Sequence, residues 1–168
     1  MKGVLKDILS NEDKDIIDEK ILKFKKEMKT MDFNLISLPT GVSKLSKFTS
    51  RKLGKSGIFT NVAKGTPVHV KAAFKYNDLL KYYNCDNTEK ISSGNKIKWV
   101  YLKSNPFNVE SIAFKGYDDP PQIVEFIKRF INHDKLYDRA LLKKIRMFYE
   151  ALKWDMPVDK ANTLERFF

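Results

Sequence analysis

The apolar residues of this chain recur with two different periods, and this change of period constrains the fold more than any other feature of the sequence. A period near 3.6 residues is typical of an amphipathic helix, and strict alternation is typical of a half-buried strand. The first pattern predicts one long helix after a start signal at Ser10 and Asp13, with a buried stripe at Ile17, Ile21, Phe24, Met28 and Met31.

Alternation predicts a β-hairpin in the middle of the chain. In KIKWVYLK the apolar positions alternate as they do in a strand, at Ile97, Trp99 and Tyr101. An Asn-Pro turn at 105–106 separates this segment from VESIAF, a second candidate strand. The sequence therefore predicts a hairpin over residues 96–114.

The mixture of aromatic and basic residues in KIKWVYLK permits two interpretations. It could be a platform on which the bases of a single strand stack. A half-buried core role for Trp99 and Tyr101 is the preferred interpretation, and it leaves three lysines free to contact phosphates: Lys96, Lys98 and Lys103.

The segment before this hairpin has weaker signals. DFNLISLPTG is predicted to be a short strand that runs into a turn at Pro39 and Gly41. Residues 43–65 are rich in Lys, Ser and Gly with few apolar anchors, which predicts an extended, partly mobile loop. GKS at 54–56 resembles part of a phosphate-binding loop, but that motif requires a glycine where Thr49 stands, so a nucleotide-binding loop is not predicted.

Three further helices are predicted from their start signals. Thr66 followed by Pro67 opens a helix that runs to about residue 83, Asp119 before two prolines opens another, and Asp134 opens the last. The last helix is predicted to bury Leu141, Ile145, Phe148 and Leu152 and to expose a cationic edge of Arg139, Lys143, Arg146 and Lys153. The order helix, strand, helix, hairpin, helix, helix predicts an α+β fold: a single mixed domain with a small hairpin subdomain and an extended C-terminal tail.

Composition restricts the partners and the setting. The net charge is +11, from 32 Lys and Arg against 21 Asp and Glu, so a polyanion, nucleic acid first, is the expected partner; the alternative is that the lysines only maintain solubility. Cys85 is the single cysteine, which excludes an internal disulfide and a thiolate zinc cluster. No signal peptide, lipidation signal or membrane-spanning stretch is recognisable, so no membrane contact and a cytoplasmic location are expected.

Motifs for catalysis or metal binding are missing from the sequence. His69 and His133 lie on different predicted elements, and no HExxH spacing occurs. No Ser/His/Asp or Cys/His arrangement is legible, and no paired carboxylates indicate a two-metal site. The sequence therefore predicts no catalytic residue, no metal site and no cofactor in this chain.

Five blocks, taken in order, resemble one known family. They are DFNLISLPTGVSKLSKF, KGTPVHVKAAFKYN, KIKWVYLKSNPFNVESIAF, HDKLYDRALLKKI and the terminal TLERFF. Together they resemble the thumb domain and C-terminal tail of family B DNA polymerases of T-even-type bacteriophages, over about residues 29–168. The resemblance implies a mixed helical and β domain that grips the primer–template duplex, and final residues that bind the sliding clamp.

The resemblance also implies positions for the DNA contacts. The turn at Thr40, Gly41 and Ser43 matches a family segment that lies against the duplex. The other matching positions carry basic residues or a histidine: Lys64, His69, Lys71, Lys96, Arg139 and Lys143. Lys71 stands where the family has Arg, so a forked phosphate contact becomes a point-charge contact. The additional residues around RKLGKSG leave the alignment of that loop open.

The C-terminus has the spacing of a clamp-binding peptide. Leu164, Phe167 and Phe168 place one aliphatic residue three positions before two aromatic ones, which suits a helical turn entering one pocket. Ala161 replaces the glutamine that begins many eukaryotic clamp peptides, so the phage form of the interaction is expected. The alternative is that both phenylalanines fold against the protein's own surface.

The chain lacks the polymerase palm motifs that resemble DxxSLYPS and YGDTDS. The resemblance therefore implies part of a nucleotidyltransferase that is inactive alone, with palm, fingers, exonuclease and magnesium on a partner polypeptide. A split gene is favoured over an expressed domain, because the first twelve residues read as a natural start. The implied parts are an N-terminal palm-facing helix at 1–31, the thumb at 32–154 and a flexible clamp-binding tail at 155–168.

Two other functions fit the same sequence. One is a stand-alone basic DNA-binding accessory protein of phage replication, which would bind DNA and clamp without restoring synthesis to any partner. The other is a structural assembly protein whose aromatic C-terminus docks on a neighbour, and it predicts no salt-dependent DNA binding.

Overall fold

A computed structural model describes Ser10, residues 12–53 and residues 58–158 of this chain. Contacts between Cα atoms divide the chain into two units: residues 32–132, and residues 1–31 together with 133–168. Helices and antiparallel strands occur together, so the predicted α+β class is confirmed. The domain bounds that the resemblance implies, 1–31, 32–154 and 155–168, stay a prediction.

A three-stranded antiparallel sheet forms the centre of the 32–132 unit. Its strands are β1 (Leu38–Gly41), β4 (Lys96–Tyr101) and β5 (Ser111–Phe114), in the order β1-β4-β5. The predicted hairpin is therefore confirmed, with Trp99 opposite Ala113 and Tyr101 opposite Ser111.

Helices cover this sheet. Helix α3 (Val68–Tyr82) packs against β5, and α4 (Pro121–Phe130) contacts α3. On another side, the Phe33 ring meets the Phe114 ring edge-on with centroids 5.0 Å apart. All four residues of β5 are buried as a result, which explains why this segment is almost wholly apolar.

The prediction for residues 32–41 is wrong in detail. Phe33–Ile36 forms one helical turn, α2, because the Asp32 carboxylate accepts a hydrogen bond from the N–H of Asn34 at 2.8 Å. The strand begins only at Leu38 and contains Pro39 instead of turning there. Proline is tolerated because β1 lies at the edge of the sheet, where a missing N–H need not break a ladder.

The prediction of a loop over residues 43–65 is also wrong. A 3₁₀ turn at Leu45–Phe48 leads into β2 (Thr49–Leu53), which pairs antiparallel with β3 (Thr60–Val62). The buried carboxylate of Asp78 on α3 holds β3 in place, because it accepts hydrogen bonds of 2.8 Å from both the N–H and the hydroxyl of Thr60. The GKS segment at 54–56 lies outside the described residues.

Two helices start where the sequence predicts them, but the residues that were predicted to cap them have other hydrogen-bond partners. The Thr66 hydroxyl donates to the carbonyl of Ala63 at 2.6 Å instead of capping α3, and Pro67 occupies the cap position. The Asp119 carboxylate likewise accepts from the N–H groups of Lys115 and Gly116, at 2.9 and 2.7 Å. It closes the preceding turn, and α4 begins at Pro121.

The other unit is helical where it is described. Helix α1 (Lys14–Met28) buries Ile17, Ile21 and Met28 of its predicted stripe. Phe24 and Met31, predicted to be buried as well, are half-buried, and Met31 lies past the end of the helix. A second helical run consists of α5 (His133–Tyr137), a π-helical segment (Asp138–Leu142) and α6 (Lys143–Ala151). Leu141, Ile145 and Tyr149 form its buried side. Two residues predicted to be buried are not: Phe148 is half-buried, and Leu152 is 45% exposed because the helix ends at Ala151. Every described helix is too short or too polar to cross a bilayer.

The hydrogen-bonded carboxylate of Asp18 connects helix α1 with helix α6. The Tyr149 hydroxyl donates to Asp18 Oδ1 at 2.6 Å, and the Lys14 ammonium pairs with Oδ2 of the same carboxylate. The Trp154 ring lies 5.5 Å from the Tyr149 ring, edge to face. Burial is the main cause that raises the pKa of Tyr149, and the hydrogen bond to Asp18 is the second. The phenol therefore stays protonated at physiological pH and donates this hydrogen bond.

Replacing Tyr149 by Phe should lower the free energy of unfolding by about 1.5 to 3 kcal/mol, the range for a hydrogen bond to a charged group. Urea unfolding followed by tryptophan fluorescence, to which Trp154 contributes, would measure the change. Tyr117→Phe is the matched control, because that side chain is 63% exposed. Equal losses in the two variants would contradict the structural role of the bond.

Stability should also fall in alkaline solution through Tyr137. Burial, with a smaller effect of Asp138, raises the pKa of Tyr137 to about 12, whereas an unfolded tyrosine has a pKa near 10. Above about pH 10 the unfolded chain therefore releases a proton that the folded chain retains, and stability declines by up to about 1.4 kcal/mol per pH unit. Tyr137→Phe should lose less stability than the wild type between about pH 9 and 11 in urea unfolding. Lysine deprotonation affects both proteins, so parallel pH profiles would refute the assignment.

Candidate nucleic-acid interface

One end of the three-stranded sheet brings together four of the predicted site residues. In the β1–β4 register, Thr40 lies opposite Ile97 and Gly41 opposite Lys96. The pairing continues past the strands, because Val42 N–H donates to the Asn95 carbonyl at 2.9 Å and Gly94 N–H donates to the Val42 carbonyl at 2.7 Å. We call Thr40, Gly41, Ser43 and Lys96 the sheet-end group.

The backbone of the sheet-end group is accessible. Gly41, Ser43 and Lys96 are exposed, and a Cβ atom added at Gly41 would meet nothing within 4 Å. Glycine is therefore not required there by crowding within the protein. Because Gly41 has no side chain, the peptide groups beside Lys96 are left open to a flat or bulky ligand.

Two further lysines follow this group, and the sequence interpretation missed them. Lys44 and Lys47 are both exposed. The segment that carries them is held in place, because the N–H of Leu45 donates to the Ser93 hydroxyl at 3.0 Å and the N–H of Lys47 donates to the Lys44 carbonyl at 3.0 Å. The sequence signal for these two lysines was the basic pattern SKLSK. Because that pattern was assigned to a loop, the sequence predicted no position for them.

A second group of predicted site residues surrounds the start of α3. Lys64 is exposed in the turn that contains Gly65, whose φ of +85° favours glycine. His69 and Lys71 follow in the first turns of α3, where His69 is half-buried and Lys71 exposed. No acidic residue occurs in the first turn of this fifteen-residue helix. The unpaired N–H groups of a helix start favour anions, so they add to the positive charge of the side chains.

The lysines of both groups are exposed to solvent. Among the described residues, no ion pair includes Lys64, Lys71 or Lys96. An exposed cation without a carboxylate partner can contact a phosphate without first breaking an internal pair.

Other lysines of the same unit have structural roles. Lys98, predicted to be free for phosphate, is half-buried and its ammonium donates to the Asn34 carbonyl at 3.4 Å. The Lys115 side chain is 6% exposed and pairs with Glu89 at 3.2 Å. Lys75 lies with its ammonium 4.1 Å from the centre of the Phe59 ring, and burial lowers its pKa. The structure thus separates the cations that pack inside from those that face solvent.

Arg139 and Lys143 belong to the helical unit. Both are exposed. Arg139 lies within the π-helical segment and Lys143 directly follows it, with the N–H of Lys143 bonded to the carbonyl of Asp138. Arg146 and Lys153 are exposed as well. The predicted exposure of these four residues is confirmed, but Lys153 lies past the helix end at Ala151 with φ of +58°, so a common cationic edge stays a prediction.

The aromatic residues of the hairpin are mainly core residues. Tyr101 is buried, and its ring contacts that of Trp99 with centroids 4.9 Å apart. Trp99 is only half-buried. The core interpretation of KIKWVYLK is thus confirmed for Tyr101, whose ring is not available as a stacking platform.

The structure describes no metal site. Within the described ranges, no group of three or more His, Cys, Asp or Glu side chains could hold a metal ion. His69 and His133 belong to different units. The three predicted clamp-binding residues, Leu164, Phe167 and Phe168, lie outside the described residues.

Comparison with known proteins finds no family model that matches this chain and no match among curated proteins. Any function must therefore be argued from the residues and from their arrangement.

Proposed function

We propose that this chain is the thumb portion of a replicative family B DNA polymerase, which grips primer–template duplex through backbone contacts and binds a sliding clamp through its C-terminus. It works with a separate polypeptide that carries the palm, the fingers and the exonuclease. The observation that carries the proposal is the set of exposed lysines at the sheet-end group and around the start of α3 that form no ion pair with any described residue. The resemblance of the five sequence blocks supports the choice of duplex DNA.

Contacts of this type suit a protein that must hold DNA of any sequence and still let it slide. Lysine binds a phosphate as a point charge and does not distinguish base edges. Lys96 lies on a strand and Lys71 on a packed helix, so their backbones are fixed while their side chains can pass from one phosphate to the next. Gly41 beside Lys96 allows the sugar–phosphate chain to approach the protein backbone.

The C-terminal tail supplies the clamp contact in this proposal. Burial of Leu164, Phe167 and Phe168 would contribute roughly 1.5 to 3 kcal/mol each, less the entropy of ordering the tail, which leaves about micromolar affinity. Such a contact is weak alone. It becomes effective when the polymerase is already held on DNA, because the effective concentration of the clamp is then high.

Binding to blunt duplex DNA of any sequence should weaken steeply with salt. If about five phosphates are neutralised, log K should fall against log salt with a slope near −4 to −5. The triple variant Lys64→Gln, Lys71→Gln, Lys96→Gln should reduce the slope by about 2 to 3, roughly one unit for each phosphate contact. Fluorescence anisotropy of a labelled duplex would measure it.

The control is a second triple variant that removes the same amount of charge at exposed lysines outside the two groups: Lys26→Gln, Lys90→Gln and Lys128→Gln. We expect this triple variant to keep most of the slope. If both triple variants reduce the slope equally, the two groups are not the interface. If the wild type shows no salt-dependent binding, the duplex proposal fails and a structural assembly role replaces it.

Primer extension tests the polymerase part of the proposal. The palm-bearing polypeptide from the same genome should change from abortive to processive synthesis when this chain is added. Changing both Phe167 and Phe168 to Ala should remove only the part of the processivity that depends on the clamp, since the duplex contacts lie elsewhere. If the two polypeptides do not associate and synthesis is unaffected at saturating concentrations, the chain is instead an accessory DNA-binding protein.

A further inference from the structure

A groove lined by aromatic rings lies in the 32–132 unit, away from the residues assigned to duplex binding. It has a volume of about 420 Å³, and its lining includes Tyr83, Phe107, Phe126, Phe130, Gln122 and Arg129. We call it the aromatic groove. Its walls come from the end of α3, the loop after β4 and helix α4.

The rings of the aromatic groove form a continuous set of tilted and edge-to-face contacts. Centroids are 5.1 Å apart for Tyr82 and Phe107, 5.5 Å for Phe107 and Phe126, and 5.1 Å for Phe126 and Phe130. Tyr82 also meets Tyr83 at 5.1 Å, with the ring planes at 77°. Rings that meet at steep angles do not cover each other's faces completely. The groove is therefore open to a flat ligand.

These rings are not fully withdrawn from water. Tyr82 is 49% exposed, and Tyr83, Phe107 and Phe130 are half-buried. Exposed apolar groups that line one concave surface are a common mark of a binding site. The ligand should therefore present a flat apolar face to these rings.

The charges around the groove select the chemistry of that ligand. The Arg129 guanidinium is exposed and lies 5.4 Å from the centre of the Phe130 ring. Lys103 is exposed, and its N–H donates to the Phe130 carbonyl at 2.7 Å. Glu125 is the one acidic residue of the lining, and the whole chain carries a net charge of +11. Flat apolar groups joined by anions are the bases and phosphates of a single-stranded nucleic acid.

We propose that the aromatic groove binds an unpaired base of single-stranded nucleic acid, with the base against Tyr83 and Phe107 and a neighbouring phosphate near Arg129. Gln122 and Glu125 supply polar groups at the edge of the base. Duplex DNA does not enter, because its bases are stacked on one another and paired. The groove is thus a site separate from the duplex interface, and it does not rest on the polymerase proposal.

The test compares two labelled oligomers of equal length, an oligothymidylate and an abasic strand with the same phosphates. Fluorescence anisotropy with the full chain should show tighter binding of the oligothymidylate, by about fivefold or more for one stacked base. Tyr83→Leu should abolish this preference, because it removes the ring and keeps an apolar side chain. Arg129→Gln should weaken binding of both strands.

Two control variants lie outside the groove. Tyr117→Leu removes a ring that is 63% exposed, and Lys128→Gln removes the charge of an exposed residue next to Arg129 on the same helix. Tyr117→Leu should leave the preference for bases intact, and Lys128→Gln should weaken binding less than Arg129→Gln. Urea unfolding of every variant verifies that the folds are equally stable.

Three results would overturn the proposal. One is equal affinity for the oligothymidylate and the abasic strand, which would mean that phosphates alone are bound. Another is an unchanged preference in a stably folded Tyr83→Leu variant. The third is competition by an aromatic peptide when free bases displace neither strand. That result would make the groove a peptide site. The triple variant Lys64→Gln, Lys71→Gln, Lys96→Gln should weaken duplex binding and keep the preference for bases, so failure of one proposal leaves the other testable.

Discussion

The packing of helix α3 across strand β5 is the contact on which the 32–132 unit depends. Ala72 and Ala73 are fully buried, and such small side chains allow a helix to approach a sheet closely. Tyr76 and Leu79, one turn farther on, are fully buried as well. Burying a large apolar side chain such as Leu79 is worth roughly 1.5 to 3 kcal/mol, so the buried face of α3 stabilises the unit.

The same helix positions the surfaces to which we assign function. Its first turns carry His69 and Lys71, and Tyr83 at its other end lines the aromatic groove. Asp78, buried in its middle, fixes the β2–β3 pair through Thr60. A cationic surface and an aromatic one are thus attached to one rigid element, and stability comes from apolar burial rather than from the surface lysines. Lys64, Lys71 and Lys96, which form no ion pair within the described residues, can remain so because their side chains stay hydrated.

The sequence predicted the elements with strong periodic signals and missed those held by distant contacts. The stripe of α1 and the alternation in β4 depend on neighbours in the chain, so Ile17, Ile21 and Ile97 are buried as predicted. The β2–β3 pair has no such pattern, since it is fixed by Asp78, which lies far away in sequence. Lys98 was predicted to be free because its contact with the Asn34 carbonyl spans 64 residues. A carbonyl so distant in sequence leaves no trace in the local pattern.

By itself the sequence determined the α+β class, the hairpin over 96–114 and the excess of positive charge. It did so because hydrophobic period and charge are local properties of the chain. Only the tertiary structure decided which lysines face solvent and which pack inside, that Gly41 lies opposite Lys96, and that Tyr83, Phe107 and Phe130 meet in one groove. These facts depend on strand register and on helix packing, which join residues far apart in the chain and are set by the burial of the whole core.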